Sequence, residues 1–261
     1  MLDIKITDHV AQVTLARPEK KNAINFDMMD ALTAGAQQIA DEPSVRAVVM
    51  SGAGDCFCAG IDLELLQNVA SRMDDTKRQM RVEVQDGLGN LFQRPFLAWR
   101  ALNVPVIAAI EGVCYGAGMQ LALAADFRIA GHDARLSIME AKWGLIPDMG
   151  ITSMLPGLMR ADQAKALFMT GRVLDPAQAQ NLGLITEQAE DSHAAALAMA
   201  QDLAGRSPEA VQSSKRLVDA AWATDRSLLA LEAELQANLM GSPNQMETVI
   251  AQMQGRRPVF K

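Results

Sequence analysis

Val106-Ile-Ala-Ala-Ile-Glu-Gly-Val-Cys-Tyr-Gly-Ala-Gly-Met-Gln-Leu-Ala-Leu-Ala-Ala-Asp126 changes its periodicity part-way along. It opens as a β-branched apolar run, breaks at Gly112, Gly116 and Gly118, and resumes as an Ala/Leu/Met run suited to a helix. A helix beginning near Ala117 leaves its first N–H groups without internal acceptors, at the positive end of its dipole. Such a corner can receive an oxyanion or a phosphate. It can equally be a tight turn whose glycines only ease packing. This segment alone leaves both readings open.

A second segment, Ala47-Val-Val-Met-Ser-Gly-Ala-Gly-Asp-Cys-Phe-Cys-Ala-Gly-Ile-Asp-Leu63, repeats the design with Gly52, Gly54 and Gly60. Two such units can aim two backbone N–H groups at one point. Further pieces are Arg17-Pro-Glu-Lys-Lys-Asn-Ala-Ile-Asn25, Pro105-Val-Ile-Ala-Ala-Ile-Glu-Gly112 leading to Gly116-Ala-Gly118, and Asp126-Phe-Arg-Ile-Ala130. Glu140, Gly144-Leu-Ile-Pro147 and Thr170-Gly-Arg172 follow. With Phe57-Cys-Ala-Gly-Ile-Asp-Leu63 among them, in this order, the chain resembles the crotonase superfamily, the enoyl-CoA hydratases and isomerases. The resemblance implies an α/β fold with a crotonase-type spiral core of stacked β-sheets surrounded by helices over residues 1–191. It implies a helical C-terminal trimerisation section over 192–261, and trimers or dimers of trimers.

Composition is consistent with this. The 261 residues can bury a large core, and 49% apolar content excludes a disordered chain. No stretch reaches the roughly 18–20 uninterrupted apolar residues of a membrane span. The best candidate, around 104–125, is broken by Glu111, glycines and Gln120. The start, Met-Leu-Asp-Ile-Lys-Ile, has neither the basic flank nor the apolar region of a signal peptide. Cys56, Cys58 and Cys114 suit neither a disulfide framework nor a zinc ribbon, and a cytoplasmic location is expected. A net charge of −7 argues against a nucleic-acid surface but leaves room for a local basic cluster that holds an anion. No membrane partner, no metal and no cofactor beyond the coenzyme A moiety of the substrate are expected.

Periodicity predicts strands at Ile4–Ile6, Gln12–Leu15, Val45–Ser51, Val104–Glu111, Phe127–Ala130, Arg135–Ser137 and Leu184–Glu187. Helices are expected at 27–41, 117–125, 162–170 and 175–182, the last capped by Asp175 with Pro176 at its first position. Residues 64–100 read as a loop followed by a helix ending at Arg100. From Ser192 the pattern is helical, with breaks at Ser207-Pro208 and Gly241-Ser242-Pro243.

The chemistry implied by the resemblance passes through a thioester enolate. Its oxygen needs two N–H donors, each worth roughly 3–4 kcal/mol; the family's pair maps onto the backbones of Ala59 and Ala117. Hydratases of the family use two glutamates. One maps onto Glu140, the other onto Gln120, and an amide cannot activate a water as a base. Gln120 remains an active-site polar residue or, more simply, a packing residue. Asp148 instead supplies a second carboxyl, at the position where the dienoyl-CoA isomerase branch carries an aspartate. A base that removes a proton and an acid that returns it further along suffice to move a double bond. The alternatives are that Asp148 caps a helix beginning near Gly150, and that Glu140 pairs with Lys142 or Arg135 on the surface.

Coenzyme A wants cations for its phosphates. Arg17, Lys20 and Lys21 are candidates, with Arg256, Arg257 and Lys261 at the C-terminus, although such residues also simply solvate surfaces. The backbone around Cys58, Gly60 and Ile61 is expected to accept the adenine amino group. Leu65, Leu66, Leu88, Phe92 and Trp143 are expected to line the acyl pocket.

Other classes are weaker. An aryl-CoA dehalogenase would use Asp148 as nucleophile, but it needs a histidine in the helix before Pro105. Leu91–Arg100 has none, and His9, His132 and His193 stand near no motif. Gly116-Ala-Gly118 mimics part of a dinucleotide fingerprint, yet Leu121 holds the third glycine position. A hydratase with an altered acid–base set and a degenerate acyl-CoA-binding homologue remain alternatives.

Overall fold

The computed structural model describes residues 1–65, 73–223 and 227–259. Its main sheet consists of β1 (Leu2–Thr7), β2 (Val10–Leu15), β3 (Ala47–Gly52), β4 (Val106–Ile110), β6 (Phe127–Gly131) and β8 (Glu187–Ala189), hydrogen-bonded in that order. β1 and β2 are antiparallel across Asp8 and His9, and every later neighbour is parallel. A second sheet pairs β5 (Val113–Tyr115) with β7 (Arg135–Ser137). The helices are α1 (Phe26–Ala40), α2 (Met73–Met80), α3 (Arg94–Arg100), α4 (Ala117–Ala124), α5 (Ala161–Thr170), α6 (Pro176–Asn181), α7 (Ser192–Ala204), α8 (Pro208–Ala221), α9 (Ser227–Leu239) and α10 (Pro243–Met253).

Strand alternation explains how the sheet is covered. Val106, Ala108 and Ile110 of β4 join the large core that also takes in α1, α3 and α4. Ile107 and Ala109 face the other way, onto Ala196, Ala200 and Ala204 of α7. β3 divides likewise, Val48 and Met50 against Ala47 and Val49. Strands buried on both faces read as continuous apolar runs, as Val106–Ile110 does. The methyl groups of α7 recur every fourth residue, so they form one thin stripe that lies close on the sheet.

The structure moves two expectations. Residues 64–100 hold two described helices, α2 and α3, rather than a loop and one helix. The strand expected at Leu184–Glu187 begins only at Glu187. Gly183 ends α6 with φ +81°, and the Leu184 N–H still donates to Ala179 O (2.9 Å), so both residues belong to the helix exit. In the structure α7 covers the sheet, and the helices that leave it start with α8. No described helix is long and apolar enough to cross a membrane.

Two glycines let the glycine-rich corners meet. A Cβ on Gly118 would lie 2.5 Å from Cys58 O, and one on Gly60 (φ +105°) would lie 3.0 Å from Tyr115 O and 3.9 Å from Ala117 N. Gly118→Ala must therefore push the Phe57–Gly60 loop off α4 and is expected to destabilise the protein by about 1–3 kcal/mol. Gly205→Ala, whose Cβ finds its nearest neighbours at 3.4 Å and 3.5 Å, is the matched control. Urea titration of both variants checks this.

Candidate active site

The loop at 57–60 is stitched to β5 before it reaches α4. Cys58 N–H donates to Val113 O (3.0 Å), and Tyr115 N–H donates to Cys58 O (3.0 Å). Gly116 stands at the N-cap of α4, and Ala117 is its first residue, so the Ala117 N–H has no acceptor within the helix. Every residue of α4 is buried. The two expected donors are thus brought to one corner, but they are not equally open. Ala59 N–H donates to Lys21 O at 3.0 Å, across a turn in which Lys21 and Asn22 both have positive φ. The Ala59 N–H is therefore occupied by the Lys21 carbonyl, whereas the Ala117 N–H has no acceptor within its helix.

The acid–base side chains converge beyond the corner. Gln120 projects from α4 and is 1% exposed. Its Nε2 donates to Glu140 Oε1 (2.7 Å), and its Oε1 accepts from Met149 N–H (2.9 Å), so both ends of the amide are held inside the protein. Glu140 opens a 3₁₀ turn, Glu140–Trp143, and its other oxygen, Oε2, is buried with no hydrogen-bond partner among the described residues. Burial raises its pKa to about 7, against weaker opposing bonds from its own backbone and Gln120. Asp148 is buried, and burial, then the charges of Glu232 and Glu140, push its pKa well above the carboxylate range. The simpler readings of both residues do not hold. The turn Ile151–Ser153 is capped by Gly150 without a side-chain bond, and Glu140 bonds Gln120 rather than a surface cation.

One carboxyl escaped the sequence reading. Glu232 of α9, 3% exposed, accepts from Gly150 N–H (2.9 Å), Thr152 N–H (2.7 Å) and the Thr152 hydroxyl. One helical turn on, Gln236 accepts from Ile146 N–H (3.1 Å). The signal was available: Glu232 and Gln236 share a stripe with the buried Ala233, Ala237 and Met240, and polar residues on an apolar stripe need a reason.

Known proteins share this fold. The family described as Enoyl-CoA hydratase/isomerase matches residues 5–261. The chain belongs to that family. It is 36% identical over 212 residues to Probable enoyl-CoA hydratase EchA14 of Mycobacterium tuberculosis, covering 81% of this chain and 78% of the relative. It is 32% identical over 255 residues to Probable enoyl-CoA hydratase 2, mitochondrial, of Arabidopsis thaliana, covering 96% and 81%. A crystal structure of an enoyl-CoA hydratase from Mycobacterium avium subsp. paratuberculosis K-10 superposes with a TM-score of 0.82 at 25% identity, over 100% of this chain and 98% of that one. The fold is therefore of the crotonase type.

An acyl-CoA thioester is consistent with membership of the enoyl-CoA hydratase/isomerase family, and the residues expected to contact it divide. Arg17 is buried, its guanidinium bound to Ala23 O (2.6 Å) and Asp62 Oδ2 (2.9 Å), which makes it an internal brace rather than a cation for phosphates. Lys20 is exposed and pairs with Glu64 (2.9 Å), whose hydrogen bond and charge raise its pKa. Lys21 is exposed beside it. Cys58 O accepts from Tyr115 N–H and keeps one lone pair for a further donor, whereas Gly60 O accepts from both Ile24 N–H and the Cys58 thiol (3.9 Å). Ile61 forms a bridge with Ile24. Leu65, Leu88 and Phe92 meet in the main core, whereas Trp143 stands apart on the α10 side, its carbonyl bound by Gln245 (3.2 Å). Leu66 and Lys261 lie outside the described residues.

Glu140 sets a pH dependence of stability. Its folded pKa, about 7, lies above the ordinary 4.5, so the stability it contributes is present below 4.5 and is lost as pH rises through about 7. Glu140→Gln cannot ionise. The variant is expected to gain on the order of 1–3 kcal/mol over the unmodified protein between pH 4.5 and about 7, read by denaturant titration at each pH.

Proposed function

We propose that the protein shifts the double bonds of an enoyl- or dienoyl-CoA through a thioester enolate, with Glu140 and Asp148 as its acid–base pair. The observation that carries this is the Gln120 amide, tied at both ends to Glu140 Oε1 and Met149 N–H. It orients Glu140 with Oε2 unpartnered and, being an amide, cannot act as a base toward water. Glu140, poised near pH 7, serves as the base at the carbon next to the thioester. Asp148, kept protonated in its buried site, serves as the acid that returns a proton further along the chain. Ala117 N–H, joined by Ala59 N–H when the Lys21 carbonyl yields, takes the developing negative charge. Proton transfer between two carboxyls needs no cofactor beyond the coenzyme A moiety. A homotrimer or a dimer of trimers is the proposed assembly, and the exposed apolar residues Leu217, Val218 and Trp222 on and beside α8 offer a surface for a further copy.

Hydration is the second reading, favoured by the relatives, which carry hydratase names. The two readings separate by substitution. Asp148→Asn is expected to bind acyl-CoA while turnover on a dienoyl-CoA falls by ~10²–10⁴, measured by ultraviolet absorbance. Glu140→Gln is expected to slow exchange of the C2 proton with deuterated solvent by a similar factor. Gln120→Glu is expected to raise crotonyl-CoA hydration above that of the unmodified protein. Robust hydration by the unmodified protein, or full activity of Asp148→Asn, would overturn the isomerase assignment.

A further inference from the structure

The loop that carries Asp148 is suspended from side chains of other elements, and that arrangement has a function of its own. Between Gly144 and Ser153 the chain forms neither strand nor α-helix, so its N–H groups need partners from elsewhere. Four are supplied by side chains that are all at least nine-tenths buried. Ile146 N–H goes to Gln236, Met149 N–H to Gln120, and Gly150 and Thr152 N–H to Glu232. Two of the three anchors lie one turn apart on α9, in the C-terminal helices, and they grip the loop on both sides of Asp148. Glu232 is itself fixed by Gln93 Nε2 (3.4 Å), which also donates to Leu229 O (2.9 Å).

We infer that Glu232 is a positioning residue of the acid–base centre: from α9 it holds the Asp148 loop in place, and its fixed negative charge maintains Asp148 as a proton donor. This rests on the role given to Asp148 above. Burial raises the pKa of Glu232, but each of its described partners is a donor, the set that an ionised carboxylate takes, and these bonds oppose the rise. No cation is salt-bridged to Glu232 among the described residues, so its charge acts on the neighbouring carboxyl unneutralised. The charges that act on Asp148 are Glu232 from α9 and Glu140 from the 3₁₀ turn, the neutral amide of Gln120 from α4 holds the next residue, Met149, and Leu97 of α3 packs against Gly150. Burial and the like charges of Glu232 and Glu140 all favour the neutral acid.

Glu232→Gln tests this, because it removes the charge and keeps the shape. Three readouts are compared with the unmodified protein: kcat and KM for a dienoyl-CoA, the pH profile of kcat, and hydrogen–deuterium exchange of the peptide covering 146–152. Turnover is expected to fall by about 10–100-fold through misplacement of the loop, with KM within about twofold. The basic limb of the profile is expected to move to lower pH, since removing a like charge lowers the pKa of Asp148. Amides at 150 and 152 are expected to exchange faster. In an Asp148→Asn background the same substitution should cost little further turnover, because the group it positions is gone. An unmoved basic limb, unchanged exchange at 150 and 152, or fully additive losses would overturn the inference. If Asp148→Asn alone keeps full activity, the isomerase reading fails instead, while the exchange measurement still reports on the anchor. Should Glu232→Gln not fold, Thr152→Val, which removes one hydroxyl contact, is expected to reproduce the faster exchange and a smaller loss of kcat; no change in either would overturn the inference.

Discussion

The close approach of the Phe57–Gly60 loop to the first turn of α4 is the constraint on which the rest depends. Backbone meets backbone there at distances that leave no room for a methyl group on Gly118. Everything with chemistry attached is measured from that contact. It sets where Ala117 N–H points, where Gln120 leaves the helix one turn later, and so where Gln120 can reach Glu140 and Met149. The contact is made of main chain and held by the β5 pairing, so it is stiff in a way that a side-chain contact is not.

Around this corner the protein keeps carboxyl groups in an interior with few countercharges. Glu140, Asp148 and Glu232 all carry raised pKa values, with burial as the first cause in each. Their hydrogen bonding separates them. Glu232 is saturated by donors, Glu140 receives one amide and keeps a bare oxygen, and Asp148 sits among like charges. In the proposed mechanism these three chemically similar groups take an ionised, a poised and a protonated state, so that one interior offers a base and an acid together.

Much of this was legible in the sequence, for identifiable reasons. The β4 run and the three glycines after it gave strand, turn and helix because period and glycine placement are local properties. Glu140, Gln120 and Asp148 could be singled out by their positions relative to those turns. What sequence could not show was which polar group meets which. Arg17 looks like a phosphate ligand until Asp62, forty-five residues on, is found beside its guanidinium. The Lys21 carbonyl on Ala59 N–H depends on two residues with positive φ in one turn, a conformation that neither lysine nor asparagine announces. Glu232 belongs to a helix that reads as an ordinary amphipathic element, and its partners lie about eighty residues earlier.

That separation has a consequence for synthesis. The corner at Ala59 and Ala117 uses contacts available once the first half of the chain has emerged, but the Asp148 loop is anchored by residues 82 and 90 positions downstream. Contacts of such sequence separation form late, because the intervening chain must exist and be ordered first. A nascent chain halted before α9 would hold an oxyanion corner with an unanchored acid loop. In the proposed mechanism the order of translation thus leaves the acid unplaced until α9 has been made.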